Sequence, residues 1–230
     1  MNLVAFSGGK DSTALVLRLA ELGESFECLF TPTGNELPDL KAHMARVLEM
    51  AGSPRLHIPE GPSLGQLIDH FNALPNFRMR WCTRMIKIQP CIAFLRQHPG
   101  SVLLVGLRAD EMEREGLYGD YATYRYPLRE WGWKLQDVLN YCAARGVEIP
   151  PRTDCAVCYG QQIGEWFRLW RDWPEKYAEG EAWEAKTGYT FRSAERDTWP
   201  AALRELRAEF ERGRLPRERK RKEICRACTL

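Results

Sequence analysis

The sequence lacks any apolar run long enough to cross a bilayer. Its first residues, Met1-Asn2-Leu3-Val4-Ala5-Phe6, carry neither the basic region nor the cleavage site of a secretory signal. A strong net charge is also missing, because 33 basic residues against 31 acidic ones leave only +2. No internal repeat and no low-complexity segment interrupts the chain. These absences argue against a membrane protein, a secreted disulfide scaffold and a solenoid. The expectation is a cytoplasmic globular protein with no membrane partner, in which the eight cysteines are thiols or metal ligands. With 230 residues, 44% of them hydrophobic, the chain can bury a real core as one large domain or as one domain with an appendage.

The hydrophobic pattern alternates between short strands and amphipathic helices. Leu3-Val4-Ala5-Phe6 reads as a buried strand, and Leu15, Val16, Leu19, Ala20 and Leu22 recur at helical spacing until Gly23 stops the helix. Phe26 to Phe30 reads as a second strand, Leu40 to Met50 as a second helix and Leu56-His57-Ile58 as a third strand. A helix from about Lys87 to Gln97 leads into Ser101 to Leu107, the most strand-like run in the chain. Such alternation predicts an α/β fold with a mostly parallel sheet. Arg108, the loop at Ser7 and the loop Thr31-Pro32-Thr33-Gly34-Asn35-Glu36 then share the carboxyl edge, where ligands of open sheets collect. Composition changes at Pro150-Pro151. The predicted organisation is a nucleotide-binding α/β domain over 1–150 and a small helical, Cys-rich subdomain over 151–230 that carries Trp166, Trp170, Trp173, Trp183 and Trp199.

Chemistry concentrates in five places. In Ser7-Gly8-Gly9-Lys10-Asp11-Ser12 the glycines let backbone N–H groups approach phosphate oxygens, and the following helix points its positive end there. Lys10 adds a mobile charge, Ser12 a hydroxyl, and Asp11 a carboxylate that can hold Mg²⁺ or orient the loop. Val4 and Asp11 stand where a Walker A loop requires Gly and Ser or Thr, so this is a different phosphate loop; the bland alternative is a capped strand-to-helix turn. Arg108 and Arg114 offer guanidinium forks for phosphate or sulfate, while Asp110 and Glu111 suit either Mg²⁺ binding or a charged helix start. Cys82 lies among Arg78, Arg80, Arg84 and Lys87, which favour a thiolate, although a buried cysteine is an equal account. Cys28, Cys91 and Cys142 are assigned to the core. Cys155-Ala156-Val157-Cys158 and Cys225-Arg226-Ala227-Cys228 can together supply four thiolates to Zn²⁺ or to a [4Fe-4S] cluster; the bland alternatives are unrelated thiols or a redox disulfide. Between Arg212 and Arg226 a basic tail suits nucleic acid or is a solvated helix face.

Ser7-Gly8-Gly9-Lys10-Asp11-Ser12 resembles the PP-loop of ATP pyrophosphatases and of the phosphoadenosine phosphosulfate (PAPS) reductase family. Further similarities follow in the same order: Trp81-Cys82-Thr83 with Lys87 and Pro90, Gly106-Leu107-Arg108 with Arg114, then Tyr126-Pro127-Leu128, Trp131, Asp137-Val138 and Gly146. Together they cover roughly residues 1–160. The resemblance implies an adenine nucleotide alpha hydrolase-like sheet that binds ATP with Mg²⁺ or an adenylated sulfate. Ser7, Gly8, Gly9, Lys10, Asp11, Ser12 and Thr31 are then the expected nucleotide contacts, and Lys10, Asp11, Cys82, Arg108 and Arg114 the expected catalytic groups. Reductases of the family resemble one another in a C-terminal Glu-Cys-Gly-x-His segment, whereas this chain reads Glu223-Ile224-Cys225-Arg226-Ala227-Cys228. With a complete loop as well, the resemblance favours an enzyme that adenylates its substrate and releases pyrophosphate, for sulfur transfer or nucleic-acid modification. The alternatives are an adenylylsulfate or phosphoadenylylsulfate reductase and a non-catalytic nucleotide sensor or nucleic-acid-binding module. In adenylylsulfate reductases Cys82, Cys155 and Cys158 would resemble part of a cluster spacing, which makes Cys82 an alternative ligand.

Overall fold

In the computed structural model, residues 1–115, 121 and 123–217 are described. They form two compact units. The first comprises Met1–Pro32, Glu36–Gly61 and Met85–Thr153, and the second Thr33–Asn35, Pro62–Arg84 and the chain from Asp154 onward.

The first unit is built on a five-stranded sheet in the order β3-β2-β1-β4-β5, with every pairing parallel. The strands are β1 (Asn2–Ala5), β2 (Glu27–Leu29), β3 (Leu56–His57), β4 (Val102–Leu104) and β5 (Thr123–Arg125). Successive side chains of a strand point to opposite faces. Thus Val4, Cys28 and Leu104 pack with α1 (Lys10–Glu21) and α2 (Pro38–Met50) through Leu15, Leu19, Met44 and Val47. The alternate residues Leu3, Leu29 and Leu103 meet Cys91 and Leu95 of α4 (Gln89–Gln97) on the other face. Both faces are therefore covered, which is why the central strands read as unbroken apolar runs. Cys28, Cys91 and Cys142 are core residues as expected, and burial pushes the Cys28 thiol up to about 12 and that of Cys142 up to about 11. Two further helices of this unit, α5 (Pro127–Glu130) and α6 (Leu135–Ala144), follow β5.

Several boundaries differ from the sequence reading for physical reasons. The run Ser101 to Leu107 is a strand only over Val102–Leu104, because the backbone at Gly106 leaves the sheet to lie against the start of α1. The helix expected from Lys87 begins as a π-helix over Thr83–Ile88 and becomes α-helical at Gln89, with Pro90 in its first turn. Gly23, at φ +70°, does end the first helix.

The second unit contains α3 (Leu64–Phe71) and three helices, α7 (Ile163–Asp172), α8 (Pro174–Thr187) and α9 (Leu203–Glu211). Its core is aromatic. Trp166 is fully buried, edge-on to Tyr177 at 6.2 Å between ring centroids, while Phe210 meets Phe167, Trp170 and Trp199. Truncating an aromatic as buried as Trp166 costs about 3–5 kcal/mol. Gly180 allows this close packing, since a Cβ would stand 3.0 Å from Leu203 and 3.1 Å from Val157 and those side chains would have to give way. Among the described residues no helix is long and apolar enough to cross a membrane.

Candidate functional site

Strand order reverses beside β1, with β2 and β3 on one side and β4 and β5 on the other. The loops leaving the carboxyl ends of β1 and β4 flank that point of reversal, where ligands of open α/β sheets collect. Ser7, Gly8 and Gly9 occupy the first of these loops, and Gly106, Leu107 and Arg108 the second. The two touch. A Cβ on Gly106 would lie 3.2 Å from the Asp11 carbonyl carbon and the Ser12 nitrogen, so a larger residue would require the start of α1 to give by a few tenths of an ångström. Gly8 is fixed by two demands at once: its φ is +70°, and a Cβ would stand 2.5 Å from Leu40 and 2.8 Å from Met44 of α2. Gly9 has an ordinary φ of −73° and is the N-cap residue of α1, which has no side-chain cap among the described residues.

The loop is held in shape by its own hydroxyls. The Ser12 hydroxyl donates to the Gly9 carbonyl (3.1 Å) and accepts from the Ser7 N–H (3.3 Å), and the Ser7 hydroxyl accepts from the Gly9 N–H (3.4 Å). Lys10 and Asp11 are half-buried neighbours, with Nζ 3.6 Å from Oδ2.

Arg108 is buried with 4% exposure, and its guanidinium gathers three carboxylates: Asp11 at 2.9 Å, Asp110 at 2.9 Å and Glu111 at 3.5 Å. Burial works against the charged form, but Asp11 first and then Glu111 and Asp110 outweigh it, and the pKa is raised. Asp110 shows the complementary balance: burial is overcome by its bond to Arg108, and its pKa is lowered. Arg114 is more exposed and pairs with Glu111 at 2.5 Å.

Arg129, which carries no sequence signal beyond its place in the turn after Tyr126-Pro127-Leu128, staples this loop. Its guanidinium donates to the carbonyls of Glu111 and Arg114, both at 2.5 Å, and of Arg108 at 3.4 Å. The Ala109 N–H adds a bond to the Trp133 carbonyl at 2.8 Å. The first unit therefore brings together Ser7 to Ser12, Arg108 and Arg114; Thr31 stands half-buried beyond the end of β2.

Cys82, Cys155 and Cys158 belong to the second unit. There the segment 33–35 clamps the cysteine loop: the Asn35 side-chain amide donates to the Val157 carbonyl (3.0 Å), the Ala156 N–H donates to the Asn35 carbonyl (2.6 Å), and the Cys155 thiol donates to the Thr33 hydroxyl (3.6 Å). Cys158 accepts the Gly160 N–H at 3.4 Å. Tyr159 is pushed up to about 12, first by burial, with the nearby Cys82 and Cys158 adding and Arg80 opposing. Cys225 and Cys228 lie outside the described residues, as does the basic run from 218 onward. Among the described residues no three His, Cys, Asp or Glu side chains gather in a way that could hold a metal ion.

A parallel sheet with a Ser-Gly-Gly-Lys-Asp-Ser loop at its point of reversal defines a PP-loop α/β protein. A family model for the phosphoadenosine phosphosulfate reductase domain matches residues 1–154, and the chain belongs to that family. Two uncharacterised proteins of Methanocaldococcus jannaschii are similar to it. One is 24% identical over 80% of this chain and 44% of its own length, the other 23% identical over 90% of this chain and 54% of its own. The chain thus spans about half the length of the curated relatives it matches. A solved phosphoadenylyl-sulfate (PAPS) reductase of Candida auris, in a phosphate complex, shares the fold with a TM-score of 0.51 at 17% identity, covering 65% of this chain and 75% of that one.

Proposed function

We propose that this chain binds ATP at the Ser7 to Ser12 loop and transfers the adenylyl group to an oxygen of its substrate, releasing pyrophosphate. One observation carries the reading: the loop is complete and pre-formed, and Asp11 is fixed by a buried Arg108 rather than left to search for its place. In the reaction a substrate oxygen attacks the α phosphorus and forms a new P–O bond. The bond from that phosphorus to the α,β-bridging oxygen breaks, and the electron pair leaves with pyrophosphate. Loop N–H groups, the positive end of α1 and Lys10 stabilise the charge that develops on the leaving group. Asp11 fits Mg²⁺, since Oδ1 is taken by Arg108 while Oδ2 is only loosely engaged by Lys10, and the ion, when bound, would screen the phosphates. Arg108 acts mainly through Asp11, and the more exposed Arg114 is the guanidinium with reach toward an anion.

The cysteine loop is proposed as half of a Zn²⁺ or iron-sulfur site completed by Cys225 and Cys228. The Gly160 N–H aimed at the Cys158 sulfur favours the thiolate that such a site needs. No step of the reaction is routed through it.

The test is turnover of ATP with candidate acceptors, reading AMP and pyrophosphate. Wild type should release pyrophosphate, and Lys10→Ala and Asp11→Ala, with unchanged circular dichroism, should bind ATP more weakly and turn over more slowly. Thioredoxin-dependent release of sulfite from an adenylated sulfate, without pyrophosphate, would establish the reductase instead. Tight ATP binding with neither reaction would establish a sensor.

A further inference from the structure

From His70 to Ala109 the chain contains no aspartate or glutamate, although acidic residues are plentiful elsewhere. Within this stretch the segment 76–84 of the second unit shows aromatic and aliphatic side chains interleaved with arginines: Phe77, Arg78, Met79, Arg80, Trp81 and Arg84. A globular protein usually buries such side chains. Here Phe77 is 60% exposed and Met79 52%, and the arginines Arg78 and Arg84 of the same segment are exposed as well.

Their exposure comes from a built turn rather than a loose loop. The Asn76 side-chain oxygen accepts the N–H groups of Arg78 and Met79, each at 2.9 Å, and the Asn76 N–H donates to the Met79 carbonyl at 3.1 Å. Phe77 is steadied from one side by Tyr159, edge-on at 4.9 Å between centroids, which leaves the rest of the ring in solvent. Nearby in sequence, the exposed Phe71 packs against Trp81 at 5.3 Å, and the adjacent carboxylate Asp69 is engaged by Lys186 at 2.6 Å. Ordering cost has been met before any ligand arrives.

We infer that the Asn76–Met79 turn is a docking point for single-stranded nucleic acid, with a base stacking on Phe77 and phosphates neutralised by Arg78 and Arg84. Exposed aromatic faces with cations on either side, in a segment that carries no carboxylate of its own, are what a flexible polyanion with planar bases requires. This deepens the adenylation reading by naming the acceptor class, but binding itself does not depend on it, so the assay omits ATP.

The experiment follows fluorescence anisotropy of a labelled single-stranded oligonucleotide, as DNA and as RNA, over salt from about 50 to about 200 mM, using the full chain. Wild type should bind with a strong salt dependence. Phe77→Ala should weaken binding about tenfold at every salt concentration, because a stacking partner is removed. Arg78→Gln with Arg84→Gln should lower the slope of log affinity against log salt by about 0.7 for each phosphate no longer neutralised. Arg55→Gln, an exposed arginine of the first unit, should behave as wild type. Equal binding by wild type and the turn variants would overturn the inference, as would absence of oligonucleotide binding at low salt. Binding to phosphatidylserine vesicles that Phe77→Ala abolishes, with oligonucleotide binding unaltered, would overturn it in favour of a membrane surface. Loss of pyrophosphate release with oligonucleotide binding intact would count against the adenylation reading and leave the docking turn standing.

Discussion

Two long-range clamps differ in the chemistry they use. In the first unit Arg108 joins Asp11 across 97 residues of sequence through full charges, and in the second Asn35 joins Val157 across 122 residues through a neutral amide. A charged clamp is strong when complete and costly when halved, because the remaining carboxylates stay close together in a partly dry site. On the reading proposed above it is also addressable, since an entering phosphate and its cation would compete for the same partners. The neutral clamp offers no such handle. Its other side-chain atom, Asn35 Oδ1, is buried and has no hydrogen-bond partner among the described residues, so the clamp contributes shape at the cost of one desolvated acceptor. The charged clamp thus has partners that an ionic ligand would exchange, and the amide holds a loop where it is.

The largest expected effect comes from halving the charged clamp. Arg108→Ala should lower stability by about 3–5 kcal/mol in urea unfolding, and Arg108→Lys should restore only part of it because an ammonium cannot span several carboxylates as a fork does. A midpoint equal to wild type would show that the clamp is not an energetic unit.

The second effect is a pH response of the second unit. Burial, opposed by the N–H groups of Leu203 and Phe191, raises the Glu184 carboxyl from 4.5 to about 7. A raised acid keeps its proton in the folded state, so its contribution is full below pH 4.5 and is lost as pH climbs through about 7. Thermal unfolding between those values should show a decline of up to about 3 kcal/mol, and Glu184→Gln should flatten it. A wild-type profile with no such decline would refute the assignment.

Breaking the neutral clamp should matter less. Asn35→Ala removes one hydrogen bond and leaves the Val157 carbonyl without it, at about 1–2 kcal/mol. Asn35→Asp should be worse than alanine, because a carboxylate would face that carbonyl. The reverse order in denaturant midpoints would mean that charge is tolerated there and that the contrast between the clamps fails.

The smallest effect is the acid limb of the charged clamp. Asp110 has a lowered pKa, so what it adds is present above the ordinary value of 3.8 and disappears only as pH falls through its lower folded value. Asp110→Asn should flatten the acid end of the stability profile and leave the neutral range untouched. Since Asp110 is partly exposed, added salt should shrink this difference further.

Elements carried by neighbours in the chain were readable before the fold was known. The strand, glycine loop and helix from Asn2 to Glu21 follow from apolar spacing and two glycines, and Gly23 ends that helix by its positive φ. By contrast β5, only Thr123-Tyr124-Arg125, has no alternating apolar pattern and is a strand because β4 offers it a free edge. Arg129 was equally illegible: three carbonyl acceptors on a loop 15 to 21 residues away leave no trace in local spacing.

By itself the sequence determined the glycine loop between first strand and first helix, the parallel alternation and the family, because glycine conformation, helix period and the order of short motifs are properties of adjacent residues. Only the tertiary structure decided that Arg108 faces Asp11, that Gly106 passes close beneath α1, and that Phe77 stands in solvent instead of in a core. These depend on which segments meet, and a charge, a missing Cβ or an exposed ring acquires its meaning from the atoms the fold brings against it.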